Sequence, residues 1–218
     1  MNKEWSELNK TMQMQLKKED TFPMGIASLF FLRDQLMLVW NALRNDLSRD
    51  DFNAMPYMNA EGCHSTTVAW SLWHILRIED IVAHTLICGD QQVFFAENYQ
   101  ARIHAPIITT GNELVKSDIA DFSKELDIDA LYAYMSDVIN STDRLLNDLR
   151  FDMMKHKIPD SHRAALCSLH VVSEDERAAW LTDYWCGKDI RGLIQMPFSR
   201  HWIMHTEAAL RIQKKLYP

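Results

Sequence analysis

Apolar residues recur at spacings of three and four along several long stretches of this chain, which is the periodicity of amphipathic α-helices. The clearest stretch runs from Met24 to about Leu47, just after Pro23, a residue suited to a first helical turn. Its predicted buried face comprises Leu29, Leu32, Leu36, Trp40, Leu43 and Leu47. Residues 48–64 are polar and predict a loop.

Three more long helices are predicted by the same spacing. One is capped by Ser65 or Thr66 and is stopped by Gly89. Another, over 127–149, begins at an aspartate that can cap it, and the last runs over about 197–216. The inward positions predicted for the 127–149 helix are Leu131, Met135, Val138, Thr142, Leu145 and Leu149.

Shorter helices are predicted in the remaining segments, at 3–18, 91–103, 117–125 and 174–186. Two connections, 89–127 and 151–187, exceed 30 residues, a length typical of segments with a function or with packing elements of their own. No repeat or linker divides the sequence. We therefore predict one all-α domain over 1–218, a four-helix bundle with long helical connections.

Composition agrees with a helical protein and disfavours some functions. Gly and Pro number only six each, and the net charge of −7 gives no electrostatic support for binding nucleic acid. The polar N-terminus and the lack of an apolar run of membrane-spanning length predict a cytoplasmic protein without signal peptide or membrane partner. The cysteines show no C-x-x-C spacing, which predicts free thiols at Cys63, Cys88, Cys167 and Cys186.

Two histidines of the last helix, His201 and His205, are four residues apart and therefore share one helical face. The same stripe holds the apolar residues Ala208, Ala209, Ile212 and Leu216. The opposite face is predicted to meet solvent and holds Arg200, Glu207, Arg211 and Lys214. Both imidazoles thus point into the core, where an unpaired polar group costs about 1–3 kcal/mol. For the pair alone, the alternative is two hydrogen-bonded histidines in the core or at the surface.

His74 lies in the middle of the apolar stripe predicted for the second helix, which also holds Thr67, Trp70, Ile78, Ile81 and Thr85. Three inward imidazoles on two helices could converge on one metal ion. The opposite face of the second helix is predicted to carry a solvated His84 and a surface ion pair between Arg77 and Asp80.

One histidine in the second helix and an H-x-x-x-H pair in the last helix resemble the DinB/YfiT-like superfamily of metalloenzymes. The matching segments are Trp-His-Ile-Leu-Arg-Ile-Glu-Asp, which holds His74, and Met-Pro-Phe-Ser-Arg-His-Trp-Ile-Met-His, which holds His201 and His205. The resemblance covers the whole chain in element order, apart from long inserts at 89–127 and 151–187. It implies a DinB-like bundle in which these three histidines bind a divalent metal ion.

The resemblance also implies a chemistry. Characterised relatives in this family include transferases that use low-molecular-weight thiols such as bacillithiol, mycothiol or glutathione. We therefore expect transfer of a small thiol to an electrophilic small molecule, with Zn, Ni or Fe as the metal. A three-histidine shell leaves positions for thiol or water. Metal-dependent hydrolysis and a non-catalytic metal-binding role in stress response stay open as alternatives, and the helix faces are compatible with a homodimer.

Two aromatic segments are candidates for the walls of such a site. Trp70 lies one turn before His74, so it would either wall the metal pocket or pack in the core. The segment 183–189, Asp-Tyr-Trp-Cys-Gly-Lys-Asp, ends a helix near the approach to the histidine helix and is a candidate pocket cover. No spacing in the sequence identifies a general base.

Overall fold

The computed structural model describes residues 2–60 and 65–218, and most of them are helical. Cys63 and His64 lie outside the described residues, as does the end of the predicted loop 48–64. Within the described ranges no strand occurs, and the β pairing there is an isolated bridge between Lys157 and Asp189. The predicted all-α fold is confirmed.

The α-helices of the described ranges are numbered in chain order. They are α1 Lys3–Gln15, α2 Phe22–Asp46, α3 Arg49–Asn53, α4 Val68–Asp80, α5 Val93–Ala96, α6 Tyr99–Ile103, α7 Ser117–Glu125, α8 Ile128–Asp148, α9 Asp160–Ser168, α10 Glu176–Cys186, α11 Ile190–Ile194 and α12 His201–Leu216. Two wider π-helical stretches extend the long helices, Ile81–Cys88 after α4 and Met196–Arg200 before α12. Short 3-10 turns lie at Glu19–Thr21 and Phe151–Lys155.

Side-chain caps explain where two of the long helices, α4 and α8, begin. The hydroxyl of Thr67 accepts the backbone N–H of Trp70 at 2.9 Å, so α4 begins slightly later than a cap at Ser65 or Thr66 predicts. Asp127 caps α8 as predicted. The predicted loop 48–64 was wrong in part, because a reciprocal capping box on Ser48 starts the short helix α3.

Helices α2, α4, α8 and α12 form a closed ring of contacts. Helix α2 contacts α8 and α12, and α4 contacts the same two helices. The short helices α3, α5 and α7 also pack on α4. As a result, all 13 residues of α4 are buried, which is unusual for a helix whose sequence is amphipathic.

This enclosure overturns the prediction of a solvated face on the second helix. Arg77 and Asp80 do pair, at 3.3 Å, but both side chains are completely buried. His84 is only 8% exposed, and both of its ring nitrogens are within hydrogen-bond distance of protein groups. The cause is the connection 89–127, which packs against this side of α4 together with α8. Both supply hydrogen-bond partners that a helical wheel cannot reveal.

One helical stretch, Glu19–Asp46, has the length and composition of a membrane-spanning helix, contrary to the sequence expectation. It has 28 residues and a mean hydropathy of 1.3. Core helices of soluble proteins meet the same two criteria. Within this stretch, Arg33 is 3% exposed and ion-paired with Glu79 of α4, so α2 is tied to its neighbours by a buried charge.

Candidate metal centre

Three histidine rings meet between α4 and α12. The ring centroids of His201 and His205 lie 4.6 Å apart, and that of His74 lies 4.9 and 4.8 Å from them. Their available ligand nitrogens all lie within 4.8 Å of one another. Each residue is 4% to 6% exposed. The structure thus brings together the three residues that the sequence singled out.

Contacts of α12 with α2 and α4 set the direction in which His201 and His205 point. The indole N–H of Trp202 donates to the carboxylate of Glu79, and the indole N–H of Trp40 donates to the hydroxyl of Thr206 at 3.0 Å. Each of these two buried bonds is made by the residue that directly follows one of the two histidines. They fix the rotation of α12, so both imidazoles face His74.

The three imidazoles are held in their neutral form. Burial lowers the pKa of His74 to about 4, although the carbonyl of Thr110 acts in the opposite direction. The pKa of His201 lies well below its ordinary value because of burial and then because of the His205 and His74 rings. The pKa of His205 is lowered by burial and by His74. Neutral imidazole is the form that binds metals.

The hydrogen bonds of the rings leave nitrogen atoms free for a ligand. Nδ1 of His74 lies 2.7 Å from the carbonyl oxygen of Thr110, which can only accept a hydrogen bond, so Nδ1 carries the proton. The lone pair of Nε2 is therefore available to coordinate a metal ion. Nδ1 of His201 and Nδ1 of His205 are buried without a hydrogen-bond partner among the described residues. Orphaned atoms of this kind cost about 1–3 kcal/mol each, and coordination to a cation would give imidazole nitrogens a partner.

The donor set and its spacing fit a divalent transition metal. Imidazole ligands suit Zn, Ni and Fe. A tetrahedral zinc site spaces its nitrogen ligands by roughly 3.3 Å. The nitrogen atoms lie at most 4.8 Å apart, so each nitrogen–nitrogen distance would shorten by no more than roughly 1.5 Å on zinc binding.

A segment of the connection 89–127 holds side chains of α4 at the site through its backbone carbonyls, a role that the sequence did not indicate. Residues 108–112 run along α4, and three of their carbonyl oxygens accept hydrogen bonds from it. The carbonyls of Ile108, Thr110 and Gly111 bind Arg77 at 2.8 Å, His74 at 2.7 Å and Trp70 at 3.3 Å. Since the acceptors are backbone atoms, no side-chain signal could have identified them, apart from the Gly111 that allows the close approach.

Two cavities border the histidines. The polar cavity, about 390 Å³, is lined by His74, His205, Trp70, Ala60, Ser65, Thr66, Asn112, Leu114, Val115, Lys116 and Ile119. The aromatic cavity, about 200 Å³, is lined by His74, His201, Ile78, Asn112, Trp180, Leu181, Tyr184, Trp185, Met196 and Pro197. His74 and Asn112 belong to both linings, so the candidate metal site lies where the two cavities adjoin.

The two aromatic segments singled out in the sequence lie at these cavities. Trp70 stacks on His74 with ring centroids 4.5 Å apart and planes 11° apart, while it also lines the polar cavity. It is 6% exposed, so it is both a wall and a packed core residue. Tyr184 and Trp185 of the segment 183–189 line the aromatic cavity, as the interpretation of a pocket cover requires.

Acidic residues near the histidines in sequence are engaged elsewhere. Glu79 is completely buried and binds Arg33 with both oxygens, and Asp80 binds Arg77 and Tyr134. Among the described residues that line the two cavities, none is a carboxylate. Cys186 lies outside both linings, and burial raises the pKa of its thiol.

A scan against protein-family models and a search of curated proteins find no match to this chain.

Proposed function

We propose that this protein is a metal-dependent transferase of the DinB-like kind. It binds one divalent metal ion through His74, His201 and His205 and transfers a low-molecular-weight thiol to an electrophilic small molecule. The observation that carries this proposal is a buried set of three neutral imidazoles that opens on two cavities. The ring of contacts among α2, α4, α8 and α12 supports a DinB-like four-helix bundle. That 1–218 is one cytoplasmic domain is part of the proposal.

The geometry assigns a separate role to the ion, to the residues that hold His74 and to the cavity walls. A bound ion would supply a Lewis acid that lowers the pKa of a thiol ligand. The Thr110 carbonyl and the Trp70 ring hold His74 in place, and the cavity walls exclude water and orient the reactants. The sulfur attacks the electrophilic carbon, the C–S bond forms, the bond to the leaving group breaks with its electron pair, and the thiol proton goes to solvent.

Thiol transfer is favoured over hydrolysis by what lines the cavities. A free thiol has a pKa near 8.5, which lies far below the pKa of free water. Thiol activation therefore needs less assistance from a base. The described linings contain Lys116 and Tyr184 but no carboxylate that could serve as general base for a water molecule.

Metal analysis of protein purified without a histidine tag tests the site. We expect about one metal ion per chain in the native protein and less than about a tenth of that in His201→Ala/His205→Ala, since one remaining ligand binds weakly. His156→Ala, which removes an exposed histidine, is the matched control and retains the metal. Equal metal content in all three proteins would overturn the proposal.

A second assay separates the candidate reactions. With the metal-loaded protein, we expect thiol-dependent loss of the electrophile monochlorobimane and no turnover of simple esters. Ester turnover without thiol consumption would establish the hydrolase alternative. A metal-loaded protein that turns over neither these compounds nor a smaller electrophile such as benzyl chloride would point to the non-catalytic alternative.

A further inference from the structure

The two cavities at the histidines differ in chemistry. The polar cavity presents hydroxyl, amide and ammonium groups, those of Ser65, Thr66, Asn112 and Lys116. The aromatic cavity presents mainly rings and aliphatic groups. The two cavities share His74 and Asn112, and one carries polar groups among apolar residues while the other is almost entirely apolar. This difference suits a site that joins one hydrophilic and one apolar reactant.

The entrance of the aromatic cavity is built from partly exposed rings. Trp180 is 51% exposed and Tyr184 is 36% exposed, and their ring centroids lie 5.5 Å apart in an edge-to-face arrangement. The indole N–H of Trp180 already donates to the carbonyl of Arg177 at 2.9 Å. Trp180 therefore offers a ligand only its ring. Large exposed aromatic side chains at a cavity are typical of a binding surface rather than of packing.

The size of the aromatic cavity limits its occupant. It measures about 200 Å³. An apolar protein cavity of about 150 Å³ binds benzene, so one aromatic ring with a short substituent fills this space. The deeper lining residues Leu181, Trp185 and Pro197 are buried and leave little room for a larger group.

We propose that the aromatic cavity is the subsite for the electrophile, and that this electrophile is a compound with one aromatic ring and a leaving group on a short side chain. The inference rests on the proposed function for the identity of the reaction. The ring packs among Trp180, Tyr184 and Trp185, and the reacting carbon points to His201. The small thiol reaches the histidines separately, through the polar cavity, where Lys116 can attract a carboxylate of the thiol compound.

The chemistry is a substitution, for which benzyl chloride serves as an example. The thiol sulfur forms a bond to the benzylic carbon, and the C–Cl bond breaks with its electron pair. Chloride leaves, and the proton of the thiol passes to solvent. No oxidant or reductant is required.

Binding of benzyl alcohol, an unreactive analogue, tests the subsite independently of turnover. Ligand-observed NMR titration of the metal-loaded protein should show saturable binding. Trp180→Ala, at a position too exposed to support the fold, should weaken binding about tenfold, the loss expected for an aromatic contact. Met196→Trp, which fills the cavity, should abolish binding. Phe31→Ala removes an aromatic residue that is 57% exposed and lines neither cavity, and should bind like the native protein.

Lys116→Ala should also leave benzyl alcohol binding unchanged, because Lys116 lines the other cavity. Equal affinity in native protein, Trp180→Ala and Met196→Trp would overturn the inference, as would no binding to the native protein. The metal content of each protein, measured in parallel, separates this failure from that of the proposed function. Metal without benzyl alcohol binding contradicts the subsite alone, and binding of benzyl alcohol without metal contradicts the metal centre alone.

Discussion

The indole N–H of Trp202 donates its hydrogen bond to the carboxylate of Glu79, which joins α12 to α4 one residue after His201. Glu79 also binds Arg33 of α2 through both oxygens, at 2.8 and 3.0 Å. Nε of Arg33 reaches Asp143 of α8 at 3.1 Å. Three ionised side chains and the Trp202 indole thus form one network that connects α2, α4, α8 and α12. This network sets the distance between the two helices that carry the histidines.

Replacing Glu79 should therefore destabilise the whole protein. Glu79→Ala leaves Arg33, which is 3% exposed, without its main partner, and breaking a buried pair in this way costs about 3–5 kcal/mol. The control is Asp129→Ala, since Asp129 pairs with Arg44 at the surface, where such pairs are worth less than about 1 kcal/mol. Urea unfolding measures both changes. Similar losses for the two variants would show that the buried network does not hold the helices together.

Arg77 should control how firmly the connection 89–127 is attached. Its guanidinium donates to the carbonyl of Ile108 and also to Asp80, Gln92 and Tyr134. Lysine cannot reproduce this fork, and each hydrogen bond to a charged group contributes about 1.5–3 kcal/mol. In Arg77→Lys we expect tryptic cleavage after the exposed Lys116 to be faster by at least about tenfold, because the segment opens more often.

The control for this experiment is built into the chain. Arg150 is also exposed but lies far along the sequence from the connection. Cleavage after Arg150 should keep its native rate in Arg77→Lys. An equal increase at both positions would indicate global unfolding and contradict a local role for Arg77.

The long helices could be predicted because local signals agree with the fold. The spacing of Leu29, Leu32 and Leu36 marks the buried face of α2, and the Asp127 cap marks the start of α8. The inward stripe of α12 was likewise confirmed from His201 to Ile212, whereas Leu216 is only partly buried. On the opposite face Arg211 and Lys214 meet solvent. Each of these helices has one buried face and one solvent-exposed face, so a helical wheel describes them well.

The predictions failed for α4, which has no solvent-exposed face. Helix α4 is covered on all sides, and His84, Arg77 and Asp80 are buried although they lie opposite the His74 stripe. A buried charged residue is compatible with the core only when distant groups satisfy it. Those groups come from 89–127 and from Tyr134 and Ser141 of α8, and a sequence pattern within α4 contains no information about them.

The same limit applies to the site. The three histidines could be found because their spacing places them on inward stripes. The Thr110 carbonyl that holds His74, and Asn112 at both cavities, could not be found, since they reach the site through the path of a loop. DinB-like membership and thiol transfer remain predictions.

Gly111 offers a way to disturb the site without touching a histidine. Its φ of +77° lies in the left-handed region, and a Cβ there would approach Nε1 of Trp70 to 2.9 Å. Gly111→Ala should therefore displace Trp70, and with it the ring of His74 on which Trp70 stacks. We expect metal affinity to fall about 10–100-fold, as for other changes behind a metal ligand. Titration with Zn²⁺ against a chromophoric competitor measures it.

Gly192→Ala is the matched control for Gly111→Ala. Gly192 lies in α11, and the nearest atoms to an added Cβ belong to the side chains of Asp189 and Lys188, at 3.2 Å. A shift of a few tenths of an ångström relieves both contacts, and Gly192 lines neither cavity, so metal affinity should stay at the native value. A loss of equal size in the two variants would mean that Gly111 does not act through Trp70.

The metal-free protein should lose stability as the pH falls through the range in which free histidine titrates. The pKa of His74 is about 4 in the folded chain and about 6.5 in the unfolded chain. Above pH 6.5 the imidazole is neutral in both states, whereas between 6.5 and 4 the unfolded state binds a proton that the folded state does not. The free energy of unfolding therefore decreases with falling pH, by about 3 kcal/mol for His74 over this window. His201 and His205 act in the same direction.

Urea unfolding in the presence of a chelator, at pH 7.5 and at pH 4.5, measures this dependence. His201→Leu/His205→Leu removes two of the three buried imidazoles, so its stability should change less between the two pH values than that of the native protein. His156→Ala removes an exposed imidazole and should behave as native. If the leucine variant shows the full native pH dependence, buried neutral imidazoles are not its source. A site prepared for a cation requires that the fold keep its imidazoles neutral, and this result would show that the fold does not do so.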